Sequence, residues 1–152
     1  MRRERSPGQL RTAVFVGLTV IALASCSGSP DTGAPLPPPT PIVDVKMTEY
    51  HFDFSRTVPA GRVVLQANDA GQLAHQLSVF EMAADMPSLE AQLNGSVRRS
   101  VDIFGSILVR PGKTGRFAVD LAPGRRYAFV CLLAASDGVL NARKGMNFEV
   151  QT

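Results

Sequence analysis

Residues 111–131 read PGKTGRFAVDLAPGRRYAFVC, a stretch in which turn signals alternate with runs of apolar residues. It contains the pairs Pro111-Gly112 and Pro123-Gly124, which mark turns because proline fixes φ and glycine tolerates positive φ. After each pair, apolar residues alternate with other residues, as they do on a strand that packs one face on a core. The stretch therefore predicts two neighbouring strands, at 116–121 and 125–132, separated by a tight turn.

The same pattern continues through residues 42–152. Further turn signals lie at Pro59-Ala-Gly61, Asp69-Ala-Gly71 and Asp137-Gly138. Further strands are predicted at 43–47, 62–68, 75–81, 106–110 and 146–151. Short strands at this spacing, separated by Gly and Pro turns, are typical of an antiparallel β-sandwich built on a single core.

Two local features interrupt this pattern. Tyr50, Phe52 and Phe54 alternate in the opposite phase to the preceding strand, which predicts a β-bulge near Glu49. Residues 86–95 read MPSLEAQLNG, with Pro near the start, good helix formers inside and Gly at the end. This order predicts one short helix between the two halves of the sandwich.

The N-terminal residues are typical of an export signal. Residues 1–25 combine a basic start, an apolar run at 12–24 and small residues before Cys26, in a segment too short to span a bilayer. Leu23-Ala-Ser-Cys26 resembles the lipobox of bacterial lipoproteins, which predicts acylation of Cys26, for example by palmitate. The mature protein would then be attached to the cell membrane on its extracytoplasmic side. An ordinary secretory signal followed by an incidental cysteine is the alternative.

Residues 26–41 follow this signal and are rich in proline. Such a composition favours extended polyproline geometry and builds no core, so it predicts a semi-rigid linker. The predicted organisation is a signal peptide at 1–25, a lipidated Cys26 with a Pro-rich linker at 26–41, and one folded domain at 42–152.

The net positive charge of the chain comes from the predicted signal peptide. The whole sequence has 16 basic and 13 acidic residues, and residues 1–25 contain four Arg and one Glu. The remainder therefore has 16 − 4 = 12 basic and 13 − 1 = 12 acidic residues, a net charge of zero. A neutral domain gives no reason to expect a nucleic-acid partner. Membrane attachment is expected through acyl chains only.

Cys131 is a single thiol in an exported domain if Cys26 carries lipid. Thiols in such compartments usually pair or oxidise, so a leftover cysteine is a metal ligand, a reactive thiol or a small buried hydrophobe. His75 and Met146 add an imidazole and a thioether. Thiolate, thioether and imidazole are ligands that copper selects.

Three segments share their order and spacing with one known family. The first runs from Val58 to Asn68 and on through Asp69-Ala-Gly71 to His75, the second covers residues 111–131, and the third is Gly145-Met146 before the last strand. Together they resemble the cupredoxins, the plastocyanin-like blue copper domains. The resemblance implies an all-β, cupredoxin-like Greek-key β-sandwich with one short helix, preceded here by a signal peptide and a Pro-rich linker.

The resemblance also implies a set of copper ligands. The first histidine of the family falls on His75, the cysteine on Cys131 and the axial methionine on Met146. The second histidine precedes the methionine with four residues between them, which falls on Asn141. The chain therefore departs from the family pattern at one of its strong ligands.

The asparagine at this position favours some copper functions over others. An amide is a poorer Cu(II) ligand than an imidazole, whereas Cu(I) accepts low coordination and prefers sulfur. In the family the second histidine is usually the exposed ligand through which electrons pass. We therefore expect Cu(I) to be captured by His75, Cys131 and Met146 and exchanged with a copper-donor or copper-acceptor protein. Electron transfer with a redox partner is what the resemblance alone implies.

The sequence allows two other classes of function beside copper binding. In a metal-free structural or protein-interaction module, His75 would be a hydrogen-bonded residue and Cys131 a packing residue. An enzyme is not expected, because the sequence has no Ser/His/Asp set, phosphate-binding Gly loop or paired-His motif. Its one candidate nucleophile pair is Cys131 with His75.

The remaining candidate ligands have simpler interpretations. His51 stands between Tyr50 and Phe52, which are expected to face the core, so His51 is expected on the surface. Met82 and Met86 are too few for a methionine-rich copper site and are expected to fill gaps in the core.

Overall fold

The computed structural model describes residues 38–55, 57–95, 99 and 102–152. The predicted signal peptide, the lipidation of Cys26 and the linker up to residue 37 lie outside the described residues. Within those described ranges, no helix has both the length and the apolar character needed to cross a membrane.

The described residues form two sheets of four strands each. In chain order the strands are β1 (Ile42–Thr48), β2 (His51–Phe54), β3 (Gly61–Asp69), β4 (His75–Met82), β5 (Ile103–Val109), β6 (Thr114–Leu121), β7 (Arg126–Val130) and β8 (Asn147–Gln151). A short helix, α1 (Leu89–Asn94), lies between β4 and β5, and a 3₁₀ helix (Asn141–Lys144) lies between β7 and β8. The strand order is β2-β1-β3-β6 in one sheet and β5-β4-β7-β8 in the other. The predicted all-β sandwich with one short helix is confirmed.

One strand pair differs from the antiparallel prediction. β1 pairs with β3 in parallel, with Val45 opposite Ala67, whereas the other described strand pairs are antiparallel. The chain reverses after β1 to make β2 and reverses again before β3. The third segment therefore runs in the same direction as the first.

The predicted bulge near Glu49 is wrong, because the chain turns there. Thr48 pairs with His51 across β1 and β2, which leaves Glu49 and Tyr50 as a two-residue hairpin turn. Tyr50, the second residue of the turn, has a φ of 65°, a positive value that this position adopts in some tight turns. Met47 lies opposite Phe52 in this hairpin, so both side chains face the same core. The alternation of apolar residues therefore changes phase between β1 and β2.

The helix is shorter than predicted. It begins after Ser88, whose hydroxyl accepts a hydrogen bond from the backbone N–H of Ala91 at 3.2 Å, an N-cap interaction. Gly95 ends it with a φ of −79°, so this glycine does not adopt the left-handed cap that its position suggested.

Strand β7 is buried on both faces, and this positions the site. Tyr127, Phe129 and Cys131 point into the main core between the sheets. Ala128 and Val130 point to the other side, where they pack in a second apolar cluster with Leu89 and Leu93 of α1 and with Met82 and Met86. The alternation predicted for the strand at 125–132 is confirmed, since it places Tyr127, Phe129 and Cys131 on one buried face.

Candidate metal centre

Four residues singled out from the sequence lie at the same end of the second sheet. His75 begins β4, Cys131 directly follows β7, Asn141 begins the 3₁₀ helix, and Met146 directly precedes β8. Because β7 is antiparallel to both β4 and β8, its end lies beside the beginnings of those two neighbours. His75, Cys131 and Met146 have 0% of their surface exposed, and Asn141 has 3%.

The sulfur of Cys131 accepts two N–H hydrogen bonds. The backbone N–H of Gln76, the residue after His75, donates to Sγ at 3.3 Å. The side-chain amide of Asn141 donates to the same atom, with Nδ2 at 3.5 Å from Sγ. Two N–H dipoles pointing at one sulfur complement negative charge on it, as a thiolate ligand requires.

The loop after Cys131 returns to it through backbone hydrogen bonds. The N–H of Cys131 donates to the carbonyl of Met146 at 3.1 Å, and the N–H of Met146 donates to the carbonyl of Asn141 at 3.0 Å. Gly145 has a φ of 120°, and a Cβ there would lie 2.9 Å from the carbonyl oxygen of Tyr50. A glycine is therefore needed at the position that turns the chain into Met146.

His75 is buried with both ring nitrogens unsatisfied. Neither Nδ1 nor Nε2 has a hydrogen-bond partner among the described residues. Oε1 of Glu49 lies 3.7 Å from Nε2, which is too long for a hydrogen bond. Leaving a buried polar atom unpaired costs about 1–3 kcal/mol, so a buried imidazole of this kind fits the role of a metal ligand.

Glu49 is the residue near the site that sequence reasoning missed. Its Oε1 accepts the backbone N–H groups of Gln72 at 2.5 Å and Leu73 at 3.1 Å. These bonds, chiefly the one from Gln72, hold the pKa of Glu49 below its ordinary value, so the carboxylate facing His75 is ionised. The sequence gives little sign that Glu49 lies near the site, because its pattern predicts a bulge there and Glu49 stands 26 positions before His75 (75 − 49).

Gly71 gives Glu49 access to the imidazole. A Cβ on Gly71 would lie 2.6 Å from Oε1 of Glu49 and 2.8 Å from Nε2 of His75. Real Cβ atoms do not approach other atoms so closely, so a larger residue here would push the carboxylate, the ring or both.

The structure turns the Asn141 amide in a direction that the sequence could not predict. The resemblance places Asn141 at the position of the family's second histidine, where its carbonyl oxygen would be the atom able to bind a metal. Its Nδ2 instead faces the Cys131 sulfur, and its Oδ1 is buried without a hydrogen-bond partner among the described residues. Asn141 therefore acts on the sulfur as a donor.

The other candidate ligands lie away from this centre. His51 is exposed on β2, as expected. Met82 and Met86 lie in the apolar cluster beside α1, also as expected.

No group of three or more His, Cys, Asp or Glu side chains in the described part of the chain is placed to hold a metal ion. A metal at His75 and Cys131 would therefore need Met146 or Asn141 as a further ligand. The thioether is the softer of the two, and copper is the common protein metal that accepts it.

The fold is similar to that of auracyanins. The structure of dithionite-reduced auracyanin from the photosynthetic bacterium Roseiflexus castenholzii matches with a TM-score of 0.52 and 15% identity, over 74% of this chain and 96% of that one. Auracyanin B matches with a TM-score of 0.50 and 15% identity, over 74% of this chain and 88% of that one. No protein-family model and no curated protein matches the sequence. Auracyanins are cupredoxins, so this chain has a cupredoxin-like fold, and the fold predicted from the sequence is confirmed.

Proposed function

We propose that this protein is a lipid-anchored extracytoplasmic lipoprotein that captures Cu(I) with His75, Cys131 and Met146 and hands it to a partner protein. One observation carries the proposal. His75, a buried imidazole whose two nitrogens have no hydrogen-bond partner among the described residues, directly precedes Gln76, whose N–H donates to the buried sulfur of Cys131. Without a metal, this arrangement leaves the imidazole desolvated and uncompensated.

The composition of the donor set favours Cu(I) over Cu(II). The set contains one imidazole nitrogen, one thiolate and one thioether, and Cu(I) accepts three such ligands. A Cu(II) site of the blue type needs a second imidazole, and the Asn141 amide presents its N–H side to the sulfur at that position. Bound there, copper would supply a soft centre screened from water by residues that are at most 3% exposed.

Apolar side chains near the site support a protein partner. Leu73, Leu132 and Val139 are 49%, 39% and 39% exposed. They belong to the loops before His75, after Cys131 and before Asn141. Exposed apolar side chains are typical of protein-binding surfaces where they form one patch. We propose that these loops contact a copper-donor or copper-acceptor protein.

Electron transfer is the second candidate function, favoured by the cupredoxin-like fold itself. It requires Cu(II) and Cu(I) to be held in the same site. Loss of the second imidazole lowers the affinity of the site for Cu(II), so we rank transfer of copper above transfer of electrons. A metal-free interaction module is what remains if the site binds neither ion.

The test is a copper titration of the reduced, metal-free protein carrying Cys26→Ser, in which Cys131 is the single thiol. We expect one Cu(I) per chain in anaerobic competition with a chromogenic chelator, and loss of that binding in Cys131→Ala and His75→Ala. Met82→Ala is the matched control, because Met82 lies in the other apolar cluster. An intense visible thiolate-to-Cu(II) band would favour electron transfer instead. Absence of binding of either ion would overturn the metal proposal.

A further inference from the structure

We propose that Glu49 is a positioning residue that holds the His75 ring with Nε2 toward the β1–β2 turn, leaving Nδ1 as the nitrogen available to a metal. The orientation of the ring is a property of the metal-free protein. Its consequence for copper rests on the proposed function.

The surroundings of the His75 ring differ between its two nitrogens. Oε1 of Glu49 lies 3.7 Å from Nε2, and the missing Cβ of Gly71 leaves the space between them open. The described structure gives Nδ1 no partner. The ring therefore has one nitrogen on the side of a carboxylate and the other free for a different ligand.

Glu49 is itself held in place by the loop that leads to His75. Its Oε1 accepts the N–H groups of Gln72 and Leu73, which orient the carboxylate and compensate its charge. Because these donors lie three and two residues before His75 in the sequence, the same carboxylate fixes the loop and faces the ring that ends it.

The β1–β2 turn also contacts the other side of the site. Tyr50 follows Glu49 in the turn, and its carbonyl lies against Gly145, where a Cβ would approach to 2.9 Å. The amine of Lys144 lies over the Tyr50 ring, 4.6 Å from its centroid. One two-residue turn thus packs against the neighbours of both His75 and Met146, far from either in sequence.

A carboxylate facing one imidazole nitrogen has a defined physical effect. It favours the tautomer that carries the proton on that nitrogen, which leaves the lone pair on the other nitrogen for a metal. It also increases the basicity of the ligating nitrogen. Removing such a partner typically weakens metal binding by about 10–100-fold.

The tautomer of His75 can be measured without copper. The protein has two histidines, so a His51→Asn background leaves His75 as the one imidazole seen by long-range ¹H–¹⁵N NMR. We expect the neutral His75 ring to carry its proton on Nε2. Glu49→Ala should lose this preference, and Glu49→Gln should weaken it, because at 3.7 Å the carboxylate acts on Nε2 through its charge, which the amide lacks. Glu90→Gln, on the exposed face of α1, is the matched control and should change nothing.

Copper binding gives the second measurement. We expect the Cu(I) affinity to fall by about 10–100-fold in Glu49→Ala and by less in Glu49→Gln. A His75 ring protonated on Nδ1 in the parent protein, or a tautomer unchanged in Glu49→Ala, would overturn the proposal for Glu49. Failure of the parent protein to bind copper would overturn the proposed function, while the NMR result would still decide the role of Glu49.

Discussion

Asn141 directs its side-chain nitrogen at the sulfur of Cys131, with Nδ2 3.5 Å from Sγ. This contact gives Asn141 a role at the position where the cupredoxin pattern has its second histidine. A replaced ligand would be expected to leave a gap, yet the amide here occupies the space as a hydrogen-bond donor. A donated N–H draws electron density from the sulfur and adds no ligand, which suits a site with fewer than four ligands.

Asn141→His should restore a Cu(II) site. The substitution adds the second imidazole beside Cys131 and removes one N–H donor from its sulfur. We expect tighter Cu(II) binding and an intense visible thiolate-to-Cu(II) band that the parent protein lacks. The measurement is absorption spectroscopy during a Cu(II) titration. Asn94→His, at the exposed end of α1, is the control, and a parent-like spectrum in Asn141→His would contradict the prediction.

Gly71→Ala should disturb the site through packing alone. The new Cβ would lie 2.6 Å from Glu49 Oε1 and 2.8 Å from His75 Nε2, so the two side chains must separate or the loop must shift. Overpacking of this kind costs about 1–3 kcal/mol in the free energy of unfolding, which urea denaturation measures.

The control for that loss is Gly95→Ala, at an exposed glycine whose φ of −79° suits alanine. We expect this variant to unfold at the parent urea concentration. Equal stability of Gly71→Ala and Gly95→Ala would show that the close approach at Gly71 is easily relieved.

Tyr127→Phe should lower the stability of the sandwich. The hydroxyl of Tyr127 accepts the backbone N–H of Ala122 at 2.8 Å, and the tyrosine is fully buried. Phenylalanine keeps the ring but leaves that N–H without its partner, at a cost of about 1–3 kcal/mol. Tyr50→Phe serves for comparison, because the half-buried Tyr50 hydroxyl contacts the Lys144 amine at the longer distance of 3.5 Å. A larger loss in Tyr50→Phe than in Tyr127→Phe would be inconsistent with this account.

Cys26→Ser should release the protein from the membrane. The prediction follows from the lipobox-like Leu23-Ala-Ser-Cys26, since the hydroxyl cannot replace the thiol in acylation. Cell fractionation measures it, and mass spectrometry of the parent N-terminus should find the acyl chains. Cys131→Ser should remain in the membrane fraction. Retention of Cys26→Ser in the membrane would count against a lipid anchor.

The fold could be predicted because its signals are local. Pro-Gly turns and the alternation of Tyr127, Phe129 and Cys131 depend on neighbouring residues only, and they place the thiol at the end of a buried strand. The parallel pairing of β1 with β3 could not be predicted in this way, because it depends on two chain reversals in succession.

The candidate site could be predicted only in part. The resemblance to the cupredoxins pointed to His75, Cys131, Asn141 and Met146, and the structure buries all four at the end of one sheet. The direction of the Asn141 amide follows from its neighbours in three dimensions and not from its place in the sequence. The role of Glu49 could not be predicted for the same reason. The sequence pattern predicts a bulge at Glu49, whereas a hairpin turn there places its carboxylate beside His75.

Copper K-edge X-ray absorption of the Cu(I)-loaded protein carrying Cys26→Ser would identify the atoms that bind the copper. We predict three ligands, two sulfur and one nitrogen, with one sulfur lost in Met146→Leu and none lost in Met82→Leu. A copper ion bound only by nitrogen and oxygen, or a spectrum unchanged in Met146→Leu, would contradict this prediction.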